Sequence, residues 1–493
     1  MGPFAACLHP SSSVAPPYSL LEAPGPRRPL LLVACSLGVQ GFLRGVVLKP
    51  LAHHYHPAAM TMTGAHLHSV SIPLKIGMFG GGTVGGGVYE LCEAKRELFE
   101  VLGCHADIAK ICVRDASKKR DFAMKSSTLL TQDYDEILED DSINCVVELM
   151  GGVTDAKDVV FKAIEKGKHV ITANKALVAQ HLPEIEALLK KHPEVLFAYE
   201  AAVCGGIPII ATLQNDYLGD NITKICGIMN GTTNFMLSKM ENEGADYDDV
   251  LKEAQELGFA EADPTADVEG HDVQAKVALL AKLAFGVSVP TEAVPCQGIS
   301  KLTSADFEFA KMMKSTIKLL GTAMLNADGS KLSVFVSPVL VPFTSPIASS
   351  QGPGNIVSIT SANLGTSSYA GPGAGRFPTA NSVVSDIVRI GRGLGVSPFP
   401  YNKPMTLEGD FEGEFYTRIT CRDALGIIRN VGQLAEQNGV GIHAILQNPI
   451  VDRDNVDFVV TTEPCRLSQV QSFCRQVGQE KWAKCEPSVL SLL

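Results

Sequence analysis

Although the sequence holds 13 cysteines, no two of them are spaced CxxC. The odd count and scattered spacing argue against both a zinc site and a disulfide framework, and favour a reducing compartment. Basic residues are not in excess either. Against 53 Asp and Glu there are 42 Lys and Arg, a formal net charge of −11. Nucleic-acid phosphates need a basic face, and none stands out, so nucleic acid is not expected as a partner. A long apolar run is also missing: residues 30–43 are apolar but short, and are broken by Ser36, Gln40 and Gly41. This excludes a comfortable membrane span. Acidic residues are almost absent from the first 70 positions, where Glu22 stands alone beside Arg27, Arg28, Arg44 and Lys49. With frequent Ser, Pro and His, residues 1–71 read as a targeting leader of plastid, mitochondrial or secretory type. The alternative is a start at Met60 or Met62, which would leave the protein cytoplasmic.

What is present fits a large globular chain. Its 493 residues, 45% of them hydrophobic, suffice for two or three domains with proper cores. From Pro73 onward short apolar runs (74–79, 108–113, 145–149, 169–171, 195–199) alternate with helical stretches such as 155–166 and 182–191. That alternation predicts an α/β fold with a Rossmann-type doubly wound parallel sheet over 72–210, completed by 371–395, where residues 381–392 read as a helix. Over 211–370 a strand at 222–229, helices to about residue 285 and strands at 331–341 and 357–360 suggest an α+β domain on an open mixed sheet. Residues 411–493 then read as a separate βαββαβ module.

Gly80-x-Gly82-x-x-Gly85, with Thr83 and Val84 between, follows a strand and opens a helix. This is the context a dinucleotide fingerprint requires: Gly80 for the tight turn, Gly82 for approach of the pyrophosphate, Gly85 for close helix packing. The second strand ends at Arg114 rather than at the acid expected of an NAD enzyme, with Lys118 and Lys119 following. A guanidinium pairs with a 2′-phosphate, so NADP is favoured; Asp115 keeps NAD possible, and the two lysines read equally well as a solvated loop.

Asp272 and Lys276 lie four apart at the start of an apolar helix and so share one face. In an arbitrary helix such a pair is a weak surface ion pair. At the mouth of a core it can serve proton transfer. Lys175 follows a strand of the nucleotide sheet, where ligands of open α/β sheets collect. Glu200 and the Gly-rich bend after it offer a carboxylate and carbonyls suited to a hard cation. Cys204, with no histidine beside it, reads as packing.

Taken with Glu148-Leu-Met-Gly-Gly152, Asn174-Lys-Ala-Leu177, Gly227-Ile-Met-Asn230-Gly-Thr-Thr-Asn234, the segment 263–276 and Gly371-Pro-Gly-Ala-Gly375, the chain resembles the homoserine dehydrogenase family from about residue 72 to 393. The resemblance implies reduction of L-aspartate 4-semialdehyde to L-homoserine in threonine, methionine and isoleucine biosynthesis. It further implies Lys276 as general acid/base with Lys175 nearby, Asp272 accompanying it, and Glu261 and Asp267 holding the amino acid. Glu200 and the carbonyls of Val203, Gly205 and Ile207 match a site for a monovalent cation such as sodium, and Gly375 a cofactor-contacting glycine. A homodimer or homotetramer is expected, and the pathway's home in plants and algae favours a plastid leader.

Thr417-Arg-Ile-Thr-Cys-Arg-Asp423-Ala-Leu-Gly426 resembles the opening of an ACT domain, which implies a threonine effector; a module that only helps dimerisation is the alternative. Two rivals stand beside the enzyme reading. One is another amino-acid dehydrogenase on this scaffold. The other is a catalytically silent nucleotide sensor, which would be expected to lose Lys175, Lys276 or Glu261. A preceding aspartate kinase domain is not expected, for want of length.

Overall fold

The computed structural model describes residues 71–395, 399 and 401–493. The leader, the alternative starts at Met60 and Met62 and the targeting expectation lie outside the described residues.

Six parallel strands form the first sheet: β1 (Leu74–Phe79), β2 (Ala106–Cys112), β3 (Leu129–Thr131), β4 (Cys145–Glu148), β5 (His169–Thr172) and β6 (Phe197–Ala198). Their spatial order is β3-β2-β1-β4-β5-β6, the doubly wound arrangement the sequence predicts. β4 is buried at every position because helices cover both faces of the sheet. Helix Thr154–Glu165 presents Ala156, Val159, Val160, Ala163 and Ile164 to one side. On the other side, helix Arg376–Gly391 returns from late in the chain and packs Ala380, Val383, Ile387 and Ile390 against Ile76, Met78 and Val88. The order reverses between β1 and β4, so a crevice opens at their carboxyl ends.

The second sheet contains β7 (Ile222–Ile228), β8 (Ser315–Leu325), β9 (Lys331–Pro342), β10 (Gly354–Ser361) and β11 (Gly365–Pro372). Sequence reading did not foresee β8 or β11. Along β8, Ile317, Leu319 and Ala323 enter the core shared with Val273 and Val277, while Leu320 packs with Ile347 on the opposite side. Burial on both faces removes the alternation that marks a strand, and the Lys, Leu, Ala and Met content favours helix instead. β11 is polar, Gly-bounded and half exposed at the sheet edge, which in sequence is indistinguishable from a loop.

The C-terminal module holds β12 (Phe415–Cys421), β13 (Ile442–Gln447), β14 (Val456–Thr462) and β15 (Ser488–Leu492), with helices Ile427–Gln437 and Leu467–Gly478. Phe415, Ile419, Val431, Phe458, Phe473 and Val477 form its own core. Within it the strand order β15-β12-β14-β13 is that of a split βαβ fold. The module is not a free appendage, however. β15 runs parallel to β9, with Ser491 opposite Val339, so one mixed sheet runs unbroken through the position where a separate module was expected to begin. Among the described residues no helix is long and apolar enough to cross a membrane.

Candidate active site

At the carboxyl end of β1, Gly80 adopts φ +112°, and a Cβ there would stand 2.6 Å from the Leu149 carbonyl oxygen. A Cβ on Gly85 would lie 2.1 Å from the Gly80 carbonyl oxygen, so helix Thr83–Ala94 can approach the strand only through glycine. Gly82 behaves differently. Nothing lies within 4 Å of its Cβ position, and as the N-cap of that helix it has no side chain to satisfy the first amides. The result is an open cradle of unpaired N–H groups at a positive helix end, which fits a pyrophosphate. Gly375, at φ +127°, is the N-cap of helix Arg376–Gly391, which closes on this loop through contact of Arg376 and Ala380 with Gly87.

Arg114 is exposed just beyond β2, and its carbonyl accepts from Gln132 Nε2 at 2.7 Å. Asp115, the competing acid, is drawn into a local turn: its Oδ1 accepts from Ser117 N at 2.8 Å and Ser117 Oγ at 2.6 Å. Arg120 went unnoticed in sequence. It reaches back to donate to the carbonyls of Gly81 and Asp115, placing a second guanidinium at the loop.

Lys175 begins helix Lys175–Lys191 at the carboxyl end of β5, where Asn174 caps the helix by accepting from Leu177 N at 3.1 Å and donates to Gly152 O at 2.7 Å. Its ammonium lies 2.9 Å from Asp272 Oδ1. Lys276, buried on helix His271–Phe285, donates to Asp272 Oδ2 at 2.7 Å and to the Met229 carbonyl at 2.6 Å. Asp272 is therefore clasped between two ammonium groups from two different helices. Burial alone would raise its pKa, but the charges of Lys276 and Lys175 pull it well below the usual carboxylate range. Burial opposes the Lys276 ammonium, and the Asp272 charge more than offsets that, so the amine stays protonated above its ordinary range.

Asn230, which ends the β7 segment, donates from Nδ2 to Asp267 Oδ1 at 2.7 Å and to Asp272 Oδ2 at 2.9 Å. Asp267 is pushed up by burial, against hydrogen bonds from Asn230 and Thr232, with the Asp272 charge adding to the rise. Glu261 is not drawn into this network. It sits exposed in the turn after Phe259, and its backbone carbonyl accepts from Gln255 Nε2 at 3.1 Å.

Glu200 is buried beyond β6, where its two carboxylate oxygens accept from the amides of Ile210 at 2.9 Å and Ala211 at 2.7 Å, with Arg389 at 3.7 Å. Burial raises its pKa against those amides. Positive φ at Cys204 and Gly205 curls the backbone, the Gly205 carbonyl accepts from Ser382 Oγ at 2.7 Å, and that of Ile207 accepts from Ile209 N at 2.8 Å. One carboxylate and the carbonyls of Val203, Gly205 and Ile207 are hard oxygens, the donor type a cation takes, and three of these four groups accept hydrogen bonds within the protein. The Cys204 thiol is pushed up to about 11 by burial, which suits packing rather than nucleophilic attack.

Residues 80–198 match the family model described as the NAD-binding domain of homoserine dehydrogenase, and residues 208–388 match the homoserine dehydrogenase model. The chain is 40% identical over 395 residues to a Bacillus subtilis protein named homoserine dehydrogenase, covering 78% of this chain and 90% of that one. A Synechocystis protein of the same name is 38% identical over 437 residues, covering 85% of this chain and 99% of its own. Among solved structures, a homoserine dehydrogenase from Thiobacillus denitrificans aligns with a TM-score of 0.80 at 33% identity, covering 86% of this chain and 98% of that one. A hyperthermophilic archaeal homoserine dehydrogenase in complex with NADPH aligns with a TM-score of 0.53 at 26% identity, covering 64% and 97%.

Proposed function

The chain belongs to the homoserine dehydrogenase family, and from that premise we propose how its residues carry out the reduction of L-aspartate 4-semialdehyde to L-homoserine. It is an oxidoreductase with an NAD(P)-binding domain and a small-molecule substrate. Bound at the glycine cradle, the nicotinamide cofactor supplies the hydride that the aldehyde carbon receives. The observation that carries the assignment of roles is the Lys175–Asp272–Lys276 cluster at the crevice. Lys276, kept protonated by Asp272, gives a proton to the carbonyl oxygen as it becomes an alkoxide and stabilises the charge developing there. Asp272 stays ionised throughout and orients both ammonium groups, holding Lys175 at 2.9 Å on its other oxygen. Asp267 and Glu261 are assigned to the amino acid itself, Glu261 to its ammonium.

NADP is the preferred cofactor in this reading, with NAD possible. The support is the exposed guanidinium of Arg114, the engagement of Asp115 with Ser117 and the NADPH bound by the archaeal relative. Thr83, Val84 and Gly375 complete the cofactor's surroundings. A sodium-like cation is assigned to Glu200, Val203, Gly205 and Ile207, threonine to the ACT-like module as effector, and a homodimer or homotetramer as the assembly. The outer edge of β11, unpaired among the described residues, supports the assembly. Residues 1–71 are assigned as an organelle-targeting leader, plastid by preference, with a start at Met60 or Met62 and a cytoplasmic protein as the alternative.

The direct test follows absorbance as the purified protein meets aspartate semialdehyde with NADPH or NADH, with and without sodium and threonine. Oxidation that is faster with NADPH, sodium-dependent and suppressed by threonine is expected. No oxidation with either cofactor would return the chain to a nucleotide sensor. Lys276→Ala is expected to lose turnover by roughly a hundredfold or more while still quenching with NADPH, and near-normal turnover would remove Lys276 from the acid/base role.

A further inference from the structure

We propose that Asn230 is a positioning residue of this reduction, its side-chain amide setting the two carboxylates beside Lys276 while its carbonyl oxygen caps the following helix. The inference rests on the placement of the reaction at Lys276 and adds a residue whose partners come from three elements. Asn230 is the N-cap of helix Gly231–Glu243, and its Oδ1 accepts from Thr233 N at 2.8 Å and Thr233 Oγ1 at 3.0 Å. Because the oxygen is committed to the cap, the amide cannot flip, and Nδ2 has to point the other way. There it is shared between Asp267 Oδ1 and Asp272 Oδ2, at 2.7 and 2.9 Å. The neighbouring Met229 carbonyl accepts from Lys276 Nζ at 2.6 Å. One dipeptide at the end of β7 thus touches the ammonium and both carboxylates.

Residue type follows from the two duties. Asn, Asp and Ser all cap helices well. Asp would turn an oxygen toward two carboxylates, and Ser is too short to cap and bridge at once. Asn alone of the three offers an acceptor for the helix and a two-hydrogen donor for the acids. Asn230 is 5% exposed, so water cannot readily take over a lost donor.

Lys276, Lys175 and Asn230 act on Asp272; Asn230, Asp272, Thr232 and Lys276 act on Asp267; and Cys204 stands beside Lys276. Removing the Nδ2 donor takes away a bond that favours the ionised form of Asp267, so that carboxyl titrates at higher pH and the acidic limb of kcat/KM moves upward.

The test compares Asn230→Ser and Asn230→Asp in the full chain. Both retain a capping oxygen, so a folded chain with unchanged NADPH binding is expected, with a thermal midpoint close to the parent in Asn230→Ser and a lower one in Asn230→Asp, where a third carboxylate joins the buried pair. Turnover is expected to fall about tenfold to a hundredfold in Asn230→Ser, the worth of a hydrogen bond to a charged group, and further in Asn230→Asp, with the acidic limb shifted up in the serine variant. Parental turnover and an unmoved limb in Asn230→Ser would reduce the residue to a cap and overturn the proposal. If the serine variant fails to fold, the same comparison in Asn230→Asp decides, with parental turnover there again overturning it. Lys276→Ala assayed in parallel separates the two claims: if it too kept turnover, the placement of the reaction would fall rather than the role of Asn230 alone.

Discussion

Gly85 leaves no space for even one methyl group, because a Cβ would lie 2.1 Å from the Gly80 carbonyl oxygen, which is backbone and cannot swing aside. Gly85→Ala is therefore expected to push the helix N-terminus off the strand and weaken NADPH binding by about tenfold or more, read by fluorescence titration; parental affinity would show that the loop yields. Arg114→Ala makes a finer distinction. If its guanidinium meets the 2′-phosphate, KM for NADPH rises more than KM for NADH, and equal rises would remove that role. At this scale the glycine spacing and the Asp272–Lys276 pair were legible in sequence, since each lies within one turn or loop. Asn230 was visible only as part of a motif. Its partners stand 37 and 42 residues away, and no local pattern announces them.

Among the elements, β8 carries a lysine in a fully buried position. Lys318 donates to the Ser350 carbonyl at 3.0 Å, and burial pushes its ammonium down to about 8 against the pull of Glu241. Unfolded, the same amine titrates near 10.5. Between about 8 and 10.5 the unfolded chain keeps a proton the folded chain has released, so stability rises with pH across that window. Below it both states are charged and the fold bears the full cost of the buried ammonium. Lys318→Met, of similar length, is expected to stabilise the protein at pH 7 by about 1–3 kcal/mol and to flatten the alkaline rise, both read from urea midpoints at pH 7 and pH 9.5. An unchanged midpoint at pH 7 would show that Ser350 and the surrounding polar groups already compensate the charge. The same lysine helps to explain why β8 escaped recognition: a strand buried on both faces has no period of two, and a charged helix-former in its middle disguises it further.

Across the whole molecule, one buried carboxylate ties the C-terminal module to the rest. Asp306, on helix Ser304–Met312, accepts from Tyr416 Oη at 2.9 Å and from Arg418 Nε and Nη2 at 2.7 and 3.1 Å, and also receives Thr303 N at 3.0 Å. Removing it leaves the Arg418 guanidinium buried with its looser contacts to Thr420 Oγ1 at 3.3 Å and Asp457 at 3.5 Å. Asp306→Ala is expected to cost about 3–5 kcal/mol, seen as a lower denaturation midpoint, while NADPH affinity of the folded enzyme stays unchanged because the cradle lies on the other sheet. A loss below about 1 kcal/mol would mean that the module is held chiefly by the β9–β15 pairing and its apolar core.

By itself the sequence determined the doubly wound nucleotide-binding half, the glycine cradle, the βαββαβ order of the C-terminal module and the helix that sets Asp272 and Lys276 on one face. The cradle and the helix are written in spacing over a dozen residues or fewer, and the two element orders in a succession of such local signals, where periodicity, caps and turn chemistry act directly on the chain. Only the tertiary structure decided that Lys175 and Lys276 share Asp272, that Asn230 bridges two acids, and that β15 joins β9 to carry one sheet through both regions. Those choices depend on which distant surfaces bury each other and which buried charges find partners, and pair energies between residues far apart along the chain leave no trace in local spacing.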